Sequence, residues 1–167
     1  MLQNSGLRLG ERPEILSLTD PDVIRSIHRK YIRSGSRIIY ANTFGANSRK
    51  LRGSGYETAE IIEAAVRTAK EAVSDVSSFP PSLKRAEDNT SDDISAPVYV
   101  ALDIGPIGEL LEPYGTLSFE SAYDIFREMI IAGENAGADL IVFETMTDLY
   151  EVKAGVLAAK ENSSLPV

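Results

Sequence analysis

Gly35-Ser-Arg-Ile-Ile-Tyr-Ala-Asn42-Thr43-Phe44 and Gly137-Ala-Asp-Leu-Ile-Val-Phe-Glu144-Thr145-Met146 are two versions of one pattern, 102 residues apart. Each opens on a glycine suited to end a helix, continues through a short apolar run and closes on a polar residue, a threonine and an apolar residue. The apolar runs do not alternate with polar residues, so both of their faces must be buried, as in a parallel sheet. Two successive αβ units between the copies account for the offset.

Working outward, the same alternation continues. Thr19-Asp20-Pro21-Asp22 predicts a helix start: an Asp or Thr N-cap, a proline in the first turn and an acid near the positive end of the helix dipole. Val23, Ile24, Ile27, Tyr31 and Ile32 follow at helical spacing, up to Gly35. Arg12 to Leu16 reads as a short helical turn, behind a polar N-terminal loop. A helix is expected from about Glu57 to Ser74, with Ile61, Ile62, Ala65, Val66, Ala69 and Val73 on one side. Residues 75–95 are polar and rich in turn formers, and read as a long loop inside one domain spanning 1–167. Pro97–Leu102 predicts a strand ending in Asp103-Ile104-Gly105-Pro106. Ser118 predicts the cap of a helix that ends at Gly137. Asp148 and Glu151 predict a capping-box-like start to a helix reaching about Lys160. Pro166-Val167 reads as the opening of a further strand.

Strands alternating with helices predict a parallel α/β sheet. The strand ends carry Asn42-Thr43, Asp103 and Glu144-Thr145, and no Gly-rich phosphate-cradling turn follows any of them. That favours part of a TIM-type (β/α)8 barrel, with its site at the C-terminal strand ends, over a dinucleotide fold. A barrel of this kind needs about 250 residues, so the expectation is an N-terminal portion with open edges.

Composition removes several function classes. A net charge of -8 and a pI near 4.7 argue against a nucleic-acid binder. With no cysteine and one histidine, thiolate metal sites, thiol nucleophiles and a Ser-His-Asp triad have no basis. His28, beside Arg25 and Arg29, reads as a solvated or packing residue. No apolar run approaches a membrane span and no signal peptide is evident, so a cytoplasmic location is expected.

Tyr40-Ala-Asn-Thr-Phe-Gly-Ala-Asn47, Asp103-Ile-Gly-Pro-Ile-Gly108 and Phe143-Glu-Thr-Met-Thr-Asp148 occur in this order across the chain. Together they resemble the homocysteine-binding barrel of the homocysteine S-methyltransferases, most of all its form in cobalamin-dependent methionine synthases. The resemblance implies methyl transfer to the homocysteine thiolate, in the service of methionine synthesis. It implies a zinc ion held by three cysteines, and cobalamin and methyltetrahydrofolate in the complete protein. It implies that Glu144 holds the homocysteine amino group and that Asn42, Thr43 and Asp103 line the pocket. The family's first strand, with its Asp-Gly motif, precedes a stretch like Met1-Leu2-Gln3, and its zinc cysteines fall on strands later than any here. The expectation is therefore a methyltransferase part truncated before its zinc ligands, with no catalytic residue of its own, binding neither zinc nor cobalamin alone. Its expected partners are homocysteine and either the missing barrel half or a second copy of itself.

The residues alone leave other readings open. Asn42 and Thr43 equally suit a turn or helix cap, Asp103 a turn, and Glu144 an ion pair with a neighbouring strand. The alternative function is a non-catalytic remnant or amino-acid-binding module that self-associates.

Overall fold

The computed structural model describes residue 7 and residues 10–78 and 96–167. A 3-10 turn, Pro13–Ile15, leads into α1 (Leu16–Thr19) and α2 (Pro21–Arg33). Then follow β1 (Ile38–Tyr40), α3 (Thr58–Ser77), β2 (Tyr99–Ile104), α4 (Phe119–Asn135), β3 (Leu140–Phe143) and α5 (Leu149–Asn162). The three strands form one parallel sheet in the order β1-β2-β3, with Ile38 opposite Tyr99 and Asp103 opposite Val142. This is the expected α/β arrangement, and the sheet is not closed. The Ile141 N–H donates to the Pro166 carbonyl at 2.8 Å, so the chain at Pro166 runs beside β3 as a further parallel strand would.

The pleat sorts the strands into two faces. Ile39, Val100, Leu102, Ile104 and Ile141 turn toward the helices and are buried. They pack on Ile61, Ile62, Ala65 and Val66 of α3 and on Phe126, Met129 and Ile130 of α4. Phe126 meets Phe143 edge-on at 5.7 Å between ring centroids, a favoured aromatic geometry. Gly133 lets α4 sit directly on β2, since a Cβ there would lie 2.5 Å from a Leu102 methyl. On the opposite face Ile38, Tyr40 and Tyr99 are 47%, 42% and 46% exposed, while Ala101 and Asp103 are buried.

Several boundaries differ from the sequence reading. α3 continues through residues 75–77 because Asp75 is gripped there. Arg25 donates to it through Nε at 2.7 Å and through a terminal nitrogen at 2.6 Å, and Arg29 adds a third bond at 3.2 Å. The rest of the expected loop, residues 79–95, lies outside the described residues. β2 runs two residues further than expected and takes in Asp103 and Ile104, so Asp103 belongs to a strand and not to a turn. Asp20 occupies the N-cap of α2 but makes no side-chain cap bond. Ser118 does cap α4, accepting from the Ser121 N–H at 3.1 Å. Asp148 caps α5, but Glu151 does not close a capping box; its Oε1 accepts from the Ile107 N–H at 2.6 Å and fastens α5 to the loop after β2.

Candidate active site at the strand ends

The register places Asn42, Asp103 and Glu144 at adjacent C-terminal strand ends. Thr43 is fully buried, and its hydroxyl bonds the Asp103 backbone twice. It donates to the Asp103 carbonyl at 2.8 Å and accepts from the Asp103 N–H at 3.1 Å. Just past the end of β1, where regular pairing gives out, this side chain continues the ladder and fixes Asp103 along the strand axis. The Asn42 amide donates to the Pro13 carbonyl at 2.7 Å and to Ser17 Oγ at 3.1 Å. Its donors therefore hold the N-terminal turn against the strand end.

Asp103 is 7% exposed, and its Oδ1 has no hydrogen-bond partner. Burial, reinforced by the neighbouring charges of Glu144 and Glu14, pushes its carboxyl up to about 7. Half-buried Glu144 is anchored through its backbone, whose N–H donates to the Ile104 carbonyl at 3.0 Å. The next residue, Thr145, has φ 59, a left-handed conformation that a β-branched residue seldom adopts.

Glu14 is a member of this cluster that the sequence reading passed over. It is 8% exposed, and its Oε1 accepts from the Gly45 N–H at 2.8 Å. The available signal was Gly45 itself, where a Cβ would lie 2.5 Å from that oxygen. Gly105 answers a similar demand, because its bare backbone accommodates the Phe44 ring.

A cleft of about 720 Å³ opens beside β1. Its lining includes Ile24, Ile27, His28 and Tyr31 of α2, Ile38 and Tyr40, and it reaches Asn42, Thr43 and Asp103. Glu144 is not among the lining residues; it adjoins the cleft through Asp103. His28 is a packing residue and not a solvated one. It is 7% exposed with Nε2 unpartnered, and desolvation lowers its pKa to about 4, so the cleft wall is neutral there at pH 7. The strand ends thus bring the carboxyl groups of Asp103, Glu144 and Glu14 to one end of an apolar cleft, which suits a ligand with a cationic head and an uncharged body.

Zinc bound by three thiolates does not fit these residues. The sequence has no cysteine, and among the described residues no three His, Asp or Glu side chains converge as a metal-binding group. Among the described residues, no helix is long and apolar enough to cross a membrane.

The profile of the homocysteine S-methyltransferase family matches residues 1–167. The chain is 31% identical over 150 residues to the methionine synthases of Mycobacterium leprae (strain TN) and Mycobacterium tuberculosis (strain ATCC 25618 / H37Rv). Each alignment covers 88% of this chain and 11% of the relative, so the chain spans about one-ninth of their length. Its fold is similar to that of the Escherichia coli homocysteine methyltransferase MmuM in its metallated form, with a TM-score of 0.76 at 22% identity. That superposition covers 96% of this chain and 55% of MmuM, and the apo form of MmuM gives a TM-score of 0.69 at 20% identity. By its sequence the chain belongs to the homocysteine S-methyltransferase family, and it carries the open, three-stranded portion of that family's barrel.

Proposed function

We propose that this chain forms the amino-acid-gripping part of a homocysteine S-methyltransferase, with Glu144 as the acceptor for the ammonium group of homocysteine. The observation that carries this reading is the set of carboxyl groups at the strand ends, where Glu144 and Glu14 lie near enough to Asp103 to raise its pKa. A half-buried carboxylate facing an ammonium forms a charge-assisted hydrogen bond, roughly twice as strong as a neutral one. Asn42 and Thr43 serve the site by holding the backbone on which the carboxylates stand.

Methyl transfer to homocysteine needs a thiolate, and the thiol's ordinary pKa leaves it mostly protonated at neutral pH. Zinc in the complete family protein supplies that activation. In this reading its cysteines come from polypeptide beyond these 167 residues, in the same chain or in a partner. The sheet face bearing Ile38, Tyr40 and Tyr99 is where a complementary barrel half would close.

The test is complementation. The purified 167-residue chain, given homocysteine and a methyl donor, is expected to form no methionine. Adding a cysteine-bearing complementary half is expected to bring methionine formation about, and Glu144→Gln in this chain to lower its kcat/KM at least about thirtyfold. Turnover by the chain alone, or full activity with Glu144→Gln, would overturn the reading.

A further inference from the structure

Asp103 has no role in the reading above except as a neighbour, yet its burial needs a reason. A carboxyl taken out of water with an unbonded oxygen is costly, and the fold holds this one rigidly. Thr43 clamps its backbone from both sides, so the side chain cannot relax by shifting the strand. Its Oδ1 has no protein partner, and the residue borders the cleft. Glu144 follows β3 at the neighbouring strand end, and its N–H bonds the Ile104 carbonyl, one residue along from Asp103.

We propose that Asp103 is a second ammonium-binding carboxylate, which together with Glu144 grips the α-ammonium of an amino-acid ligand and gives up its proton as the ligand enters. The inference rests on the proposed function, because the cation it invokes is the one that reading places at Glu144. The charged groups acting on Asp103 are Glu144, from the end of β3, and Glu14, from the 3-10 turn. Both are anionic and favour the neutral acid. His28, the titratable group of α2 on the same cleft, is uncharged at neutral pH. Below about pH 7 the empty site therefore holds Asp103 as a neutral acid. An incoming ammonium reverses the local field and stabilises the carboxylate. The proton leaves to solvent, while the ammonium keeps its own charge throughout.

The experiment is isothermal titration calorimetry on the native protein at pH 6, in two buffers of different ionisation enthalpy. L-Methionine is the probe, because it has no thiol proton to confuse the count, and 4-(methylthio)butanoate is its des-amino counterpart. The wild type is expected to release about one proton per L-methionine bound and none with the des-amino analogue. Asp103→Asn keeps the Thr43 bonds, which go to backbone atoms, so it is expected to retain the wild-type melting temperature or exceed it. It should release no proton and bind L-methionine about tenfold or more weakly. Binding without proton release by the wild type, or unchanged affinity in Asp103→Asn, would overturn this inference and leave Glu144's role standing. Failure of both L-methionine and L-homocysteine to bind the wild type would overturn the proposed function and this inference together.

Discussion

The two copies of the repeat, Asn42-Thr43 after β1 and Glu144-Thr145 after β3, are alike in sequence and opposite in use. After β1 the donors are committed to the protein: the buried Thr43 hydroxyl donates to the Asp103 carbonyl, and the Asn42 amide nitrogen donates to Pro13 and Ser17. After β3, Glu144 is half exposed, and Thr145 sits exposed at φ 59. Strained backbone persists only where the surrounding fold holds it, and it gathers at functional sites. In the proposed reading one copy is the support and the other the contact surface, with Asp103 between them. A repeat in sequence therefore marks equivalent places in the fold without marking equivalent jobs.

Substitutions at each position separate the two roles. The largest effect is expected from Glu144→Gln in the reconstituted protein of the complementation test. Removing one partner of a desolvated charge pair costs about 2–5 kcal/mol, so kcat/KM for homocysteine should fall at least about thirtyfold while the melting temperature holds. An intact kcat/KM would move the contact surface elsewhere. Thr43→Val should do the reverse, keeping shape but orphaning two buried backbone groups of Asp103. It is expected to destabilise the fold by about 1–3 kcal/mol in urea unfolding. An unchanged midpoint would show that Thr43 is no support. Asn42→Ala should cost about 1 kcal/mol of stability through its lost bonds, with a far smaller effect on ligand affinity than Glu144→Gln. Thr145→Gly should relieve the left-handed strain and raise stability by up to about 1 kcal/mol. A loss of stability there would mean that the threonine side chain makes up for its backbone.

Stability against pH separates two buried groups whose shifts run in opposite directions. His28 is depressed to about 4. Its neutral form favours the fold above the ordinary histidine pKa, and that contribution is lost as pH falls from about 6.5 toward 4. Asp103 is raised to about 7. The stability linked to its proton is present below about pH 4 and lost as pH rises toward 7. His28→Gln should flatten the acid limb of the curve between pH 6.5 and 4, and Asp103→Asn the limb between pH 4 and 7. Denaturant titrations at stepped pH read both.

Most of the alternation was legible in the sequence, because periodicity and helix-ending glycines are local signals. Gly35 and Gly137 do take the positive φ expected of helix-ending residues, at 97° and 89°. What stayed hidden depends on contacts far along the chain. The last turn of α3 follows from Arg25 and Arg29 gripping Asp75 from α2. The extra length of β2 comes with Thr43 bonding across 60 positions and with pairing to β3. Glu151 fits a capping-box spacing, yet it bonds Ile107 instead. In the site, Asn42, Thr43, Asp103 and Glu144 could be named from the strand-end pattern and the family resemblance. The division into supports and contacts that we propose could not, because it rests on which hydrogen bonds each side chain already makes. Glu14 escaped notice because nothing in its own surroundings differs from an ordinary first-turn acid.

The most direct test of the central claim, that the strand-end carboxylates recognise an ammonium group, is the affinity of the native protein for L-homocysteine relative to 4-mercaptobutyrate, which differs only in lacking that group. We expect a strong preference for L-homocysteine in the wild type that falls at least about thirtyfold in Glu144→Gln. Equal affinity for the two compounds in the wild type would contradict the account.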